Sequence, residues 1–301
     1  MLETCFSEHA VQVADVSVSS STTQNLVTCV YRIKLGDVSR FLTITWCKNK
    51  MDQGFIVEMD HALPQHACVV AMNRWLVRDR KMQGCKAFDH EGHRIQVFWD
   101  LCSAKYVCGP EPQEHFYILV VCKAKVLLFL GDMVKEACMR IKAKCLEMEA
   151  KLLSRQEHIF GRKQFATKAQ LSLTGTTHSI MIECHTQVRE GEHPHLSIRV
   201  DRKTLLRVDQ LDWKFRGNQT IWVDGVPLEV FWDVHNWLFN PSVGYAIFMF
   251  QTNPFMEKPW LKDVSSCNRI SEWADNSAFK EMEEPLSTGG FSLFLYAWKS
   301  E

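Results

Sequence analysis

The sequence has no excess of charge of either sign: 35 Lys and Arg stand against 35 Asp and Glu in 301 residues. A dedicated nucleic-acid binder carries a visible basic surplus, so the balance argues against that class. No pair of the 12 cysteines is spaced C-x-x-C. They are scattered, and Cys29, Cys122 and Cys184 sit inside apolar, strand-like runs, which fits buried free thiols in a reducing compartment better than a disulfide framework. No stretch approaches the ~20 apolar residues of a membrane-spanning helix. Residues Met1–Glu8 lack the basic segment and apolar run of a secretory signal. There is no phosphate loop, dinucleotide fingerprint or nucleophile elbow, and no Ser-His-Asp or Cys-His-Asn arrangement can be placed. These absences lead to the expectation of a soluble cytoplasmic protein, with peripheral membrane or nuclear placement also compatible. No cofactor and no structural metal are expected.

What the chain does contain is a phrase stated twice. Phe88–Asp100 (FDHEGHRIQVFWD) aligns without a gap on Ile221–Asp233 (IWVDGVPLEVFWD). In each copy an acidic residue precedes a glycine, Gly92 or Gly225, and glycine takes the positive φ that a tight hairpin turn needs. After the turn Ile95, Val97 and Trp99 alternate with Gln96, Phe98 and Asp100, as Leu228, Val230 and Trp232 alternate with Glu229, Phe231 and Asp233. Period 2 of this kind marks a strand with one buried face. Weaker matches surround the long one in the same order. Leu42–Trp46 parallels Ile180–Cys184, and Phe55–Asp60 parallels Leu196–Asp201. Phe116–Val121 parallels Tyr245–Phe250, and Val126–Leu130 parallels the run from Phe291. The order argues for internal duplication.

Apolar residues make up 46% and charged residues 23% of the chain, which is globular usage, and the length suits two domains. Residues 1–24 lack a sustained period and are expected to be a flexible N-terminal segment. A first β-lobe is expected over 25–132, with strands near 26–35, 39–47, 54–60, 67–73, 85–89, 93–100, 114–122 and 125–131. Within the linking segment 133–160, Val134, Cys138, Ile141, Cys145, Met148 and Leu152 recur at helical spacing. They predict one amphipathic helix of about six turns over 133–154, packed against a lobe rather than in a coiled coil. A second β-lobe is expected over 161–301, with strands near 164–173, 177–185, 195–201, 204–210, 219–223, 227–234, 244–251 and 291–298. It carries a long insert at about 252–290, acidic toward its end, that contains Trp260 and Trp273. Long inserts are either functional or disordered, and disorder is the favoured expectation.

Few residues carry chemistry. His90-Glu-Gly-His93 has the wrong spacing for a metalloprotease helix and sits on a turn. His185 with His193 and His195 could meet a metal across a hairpin, but no cysteine or carboxylate stands at a defined spacing beside them. Asp100 and Asp233 could form a catalytic pair, one from each lobe, although an Asp after a strand more often caps local amides. Trp213-Lys214-Phe215-Arg216 interleaves rings and cations, a composition that stacks on single-stranded nucleic acid and equally describes a strand with alternating faces. Lys142 and Lys144 lie on the polar face of the predicted helix, either as a solvated face or as a surface for acidic partners or anionic lipid.

Leu26–Tyr31, Ser154–Gly161, Phe165–Ala169 and above all Trp213–Phe239 resemble a plant-specific family, domain of unknown function 868. The resemblance runs from about residue 25 to the end of the chain. It implies a land-plant protein and brings no activity, cofactor or catalytic residue with it. The turn Lys123-Ala124-Lys125 departs from the family's pattern, being basic where the resemblance leads one to expect an acidic turn.

The expectation is therefore a mostly β protein: two tandem, duplicated antiparallel β-lobes, each a sandwich or flattened barrel, joined by one long α-helix. Gly92, Trp99, Asp100, Gly225, Trp232 and Asp233 are its repeated structural positions. Lys214, Arg216, Lys142 and Lys144 are the candidate interaction surface. The leading function is a non-catalytic binding or scaffold protein that contacts a protein partner or a membrane surface. The alternatives are a lipocalin-like carrier of an apolar ligand and an enzyme with its site between the lobes.

Overall fold

The computed structural model describes residues 23–48, 53–59, 68–72, 82–107, 109–143, 148–171, 176–185, 193–240, 244–252 and 290–299. The first half of the chain forms β1 (Thr23–Leu35), β2 (Val38–Lys48), β3 (Gln53–Met59), β4 (Cys68–Met72), β5 (Gln83–His90), β6 (His93–Asp100), β7 (Tyr117–Cys122) and β8 (Lys125–Gly131). A helix, α1 (Val134–Ile141), and a strand, β9 (Lys151–Gly161), follow. The second half forms β10 (Gln164–Gln170), β11 (Thr177–His185), β12 (His195–Val200), β13 (Lys203–Val208), β14 (Arg216–Val223), β15 (Val226–Asp233), a short helix α2 (His235–Phe239), β16 (Tyr245–Thr252) and β17 (Ser292–Lys299). The expected N-terminal segment and the 252–290 insert lie, but for Thr23, Gln24, Thr252 and Gly290, outside the described residues.

Among the described residues three open sheets result, and none of them closes into a barrel. β5–β8 and β10–β13 are four-stranded meanders, and the third is nine-stranded in the order β14-β15-β16-β17-β9-β1-β2-β3-β4. Alternation along the strands supplies the cores. Leu42, Ile44 and Trp46 of β2 and Phe55 and Val57 of β3 face Ile95, Val97 and Trp99 of β6 across one apolar cluster. The ring contacts Trp46–Phe116 and Phe55–Trp99, both at 5.9 Å, bridge it. A second cluster joins Ile180, Ile182, Leu196 and Ile198 to Leu228, Val230, Trp232, Phe248 and Leu295. Side chains at or near zero exposure fill both interiors. Each fully buried aliphatic side chain stabilises the fold by about 1.5–3 kcal/mol.

Some strand pairings of the two halves correspond. β5–β6 pairs Gly84 with Trp99 and Gln83 with Asp100, and β14–β15 pairs Gly217 with Trp232 and Arg216 with Asp233. β2–β3 pairs Leu42, Ile44 and Trp46 with Met59, Val57 and Phe55, while β11–β12 pairs Ile180, Ile182 and Cys184 with Val200, Ile198 and Leu196. One matched pair from the sequence is off by a residue. Ile118 stands opposite Trp99 and Phe248 opposite Trp232, so Phe116 corresponds to Ala246 rather than to Tyr245. β7 is buried on both faces along its whole length, and a run without alternation carries no phase from which register can be read.

The predicted six-turn helix is replaced by two elements. α1 ends at Ile141, where Lys142 turns into the left-handed region at φ 57° and its N–H reaches back to Cys138 O and Met139 O, a common way to stop a helix. Its packed face is Met133, Ala137 and Ile141, laid on Tyr117, Leu119 and Val121 of β7. Val134 of the expected stripe is 46% exposed. From Lys151 the chain is strand, because β9 hydrogen-bonds antiparallel to β1 on one side and parallel to β17 on the other. The connection between the halves is thus a central strand of a shared sheet.

Candidate interaction surface

The surface is built at the mouth of the β14–β15 hairpin. Asp224 and Gly225 have φ of 48° and 79°, the paired positive values of a tight hairpin turn. At the other end Gly217 lies under the Trp232 ring, and a Cβ there would come within 2.3 Å of it. The Trp232 Nε1–H donates to Lys214 O at 3.0 Å, which fixes the segment before β14. Within that segment Leu211 is buried and the Trp213 and Lys214 amides both donate to Gln210 O at 3.0 Å. The turn faces Trp213 outward, 82% exposed, with Lys214 exposed beside it.

Arg216 is fixed here as well. Its Nε donates to Asp233 Oδ2 at 2.8 Å and its guanidinium lies over the Phe215 ring. Asp233 Oδ1 accepts the His235 amide at 3.0 Å and so starts α2. That helix buries Trp237, whose Nε1–H donates to Ala297 O, and leaves Phe239 56% exposed against Phe215 and His235. Further along β14, Trp222 is 64% exposed. Lys142 caps α1 in the first half, and no hydrogen bond or ion pair among the described residues joins it to Lys214 or Arg216. Lys144 lies outside the described residues.

The other candidates resolve individually. Asp100 repeats the role of Asp233: Oδ1 accepts the Cys102 amide and Oδ2 accepts Gln83 Nε2, both at 3.0 Å. Each carboxylate closes its own hairpin, and the two lie in different sheets. Gly92, like Gly225, takes a positive φ, 75°. His90 is buried, and His93 points Nδ1 at Glu91 O. His185 and His195 do face each other as cross-strand partners, with stacked rings 4.5 Å apart. Among the described residues no group of three or more His, Cys, Asp and Glu side chains is placed to hold a metal ion. No described helix is long and apolar enough to cross a membrane.

Two electrostatic features were hidden in the sequence. On the core side of β9, Glu157 is fully buried. Arg155 Nε lies 2.5 Å from Glu157 Oε1, and its Nη2 lies 2.8 Å from Glu111 Oε2. Thr167 donates its hydroxyl to Glu157, and Arg155 Nη1 donates to Cys29 Sγ at 3.5 Å. Burial works against the Arg155 charge, but Glu157 and Glu111 more than offset it and hold the guanidinium protonated. Burial pushes the Cys29 thiol up to about 12, so it is no reactive thiolate. The only signal was Arg155 and Glu157 on the same strand face as Leu153 and Ile159, where two charges read as a polar, exposed face.

The second feature is an inter-sheet clasp at matched places. In the first half Arg40, on β2, holds Glu91 of the β5–β6 turn at 2.7 Å. In the second half buried His178, on β11, bonds Asp201 at 2.6 Å and stands 3.5 Å from Asp224 of the β14–β15 turn.

A family model described as plant protein of unknown function (DUF868) matches residues 22–299. No curated protein and no solved structure matches the chain.

Proposed function

The chain belongs to the DUF868 family of plant proteins of unknown function, and from that premise we propose that it is a non-catalytic binding protein. In this reading it engages a protein partner through Trp213, Lys214, Arg216 and Phe239. The observation that carries the reading is the exposure of Trp213, 82%, next to two cations and a ring cluster that ends in exposed Phe239. Tryptophan and arginine are the residues that most often anchor protein contacts, and clustered exposed rings mark binding sites. The cations suit an acidic partner. Asp100 and Asp233 are both engaged within their own hairpins, which weakens the enzyme reading. Apolar interiors that the described residues fill with their own side chains weaken the carrier reading.

We also read the halves as two lobes, about 25–132 and 161–301, descended from one duplicated unit. The shared registers of β2–β3 with β11–β12 and of β5–β6 with β14–β15 support this. Free buried thiols at Cys29, Cys122 and Cys184 suit an intracellular location.

The test is affinity capture from plant tissue with the wild-type chain and the Trp213→Ala/Lys214→Glu variant in parallel. The reading predicts at least one polypeptide retained by the wild type and lost by the variant while both remain folded. An identical set of captured proteins for the two chains overturns it.

A further inference from the structure

Among the described residues β14 is the last strand of the nine-stranded sheet and pairs only with β15. The turn closes on the pair Val223–Val226. Alternation in an antiparallel ladder therefore turns the amides and carbonyls of Val223, Ile221, Gln219 and Gly217 to β15. Those of Trp222, Thr220, Asn218 and Arg216 are turned to the open edge. An open edge invites pairing unless charge, proline or a bulge blocks it. β14 runs RGNQTIWV, without lysine or proline, and its register is unbroken throughout. The matching strand of the first half is blocked: β5 runs QGCKAFDH, with Lys86 at the place of Gln219 and Asp89 at the place of Trp222.

We propose that β14 pairs antiparallel with β14 of a second copy of this chain, about a two-fold axis at Gln219, so that one sheet continues across a homodimer. Arg216 then stands opposite Trp222 of the second copy, and Asn218 opposite Thr220 of the second copy. All four of these positions turn their backbone groups to the edge, so the ladder is complete in this register. The side chains match: a guanidinium, fixed by Asp233 on the outer face, meets an exposed indole, and an amide meets a hydroxyl. On the other face Gly217, covered by its own Trp232 ring, stands opposite Ile221 of the second copy. Shifting the axis to Asn218 or Thr220 loses the Arg216–Trp222 match. The inference goes beyond the partner-binding reading above; it shares Arg216 with that reading and does not use Trp213, Lys214 or Phe239.

The experiment is sedimentation velocity of the purified chain over a concentration series. The expected mass for the wild type is twice the 34.9 kDa of one chain. Gln219→Lys, which copies the Lys86 block and puts like charges at the axis, is expected to be monomeric with an unchanged far-ultraviolet circular dichroism spectrum. Mixing Gln219→Lys with Gln219→Glu is expected to restore the dimer. A wild-type chain that is monomeric throughout, or a dimer that Gln219→Lys leaves intact, overturns the proposal. Neither result bears on capture of a partner through Trp213, so the two readings fail separately.

Discussion

At the scale of single residues, the repeated hairpins show how closely local chemistry fixes position. Gly92 and Gly225 were legible as turn residues because the acidic residue and glycine between alternating strands admit few other conformations. Gly84 and Gly217 were not, although each lies one strand away under its tryptophan ring. Their reason is the cross-strand neighbour, which is visible only once register is known. Gly217→Ala must displace the Trp232 ring, and Gly84→Ala the Trp99 ring. Each is expected to destabilise the protein by about 1–3 kcal/mol, measured by urea denaturation, whereas an alanine at exposed Asn218 changes little.

The His178 clasp makes a pH prediction at the same scale. Burial would raise the Asp201 carboxyl, but the His178 bond and the Ser179 amide outweigh it and hold the group below its ordinary range. A carboxyl with a depressed folded pKa stabilises the fold above its unfolded value, and that stability is lost as pH falls through the lowered folded value. Asp201 is half exposed, so the effect belongs with surface ion pairs, about 0.2–1 kcal/mol. Asp201→Asn is expected to flatten the acid limb of a plot of unfolding free energy against pH.

At the scale of elements, strands with one buried face were legible and β9 was not. β2, β6, β11 and β15 announce themselves by apolar alternation. β9 places Arg155 and Glu157 where an inward strand normally has aliphatic residues, so its period reads as polar, and the apolar spacing of 134–152 suggests a helix instead. Tertiary pairing on both sides overrides that local pattern. A buried charge left without its partner costs about 3–5 kcal/mol. Arg155→Met, which strands Glu157 in the core, is therefore expected to destabilise by that amount in denaturant titration. If Arg155→Met is neutral, the network on β9 is not the paired, buried set that its geometry implies.

At the scale of the whole molecule, a mostly β, antiparallel chain was legible in the sequence, and how its strands assemble into sheets was not. That information lies in pairings between residues far apart in the chain, such as β1 with β9 and β9 with β17, which leave no periodic trace. The candidate surface was partly legible. Lys214 and Arg216 were singled out from the interleaving of rings and cations, and Lys142 lies apart from them. The exposure of Trp213 and Trp222 needed the turn at Gln210 and the edge position of β14. In the function proposed above, this framework binds other polypeptides rather than a small molecule. Native mass spectrometry of the protein purified from plant tissue, repeated under denaturing conditions, tests it most directly. The expected native mass is made up entirely of polypeptide, whether further copies of this chain or a distinct partner, with the bare chain recovered on denaturation. A single chain carrying a small molecule that is lost on denaturation would contradict it and return the carrier or enzyme reading to first place.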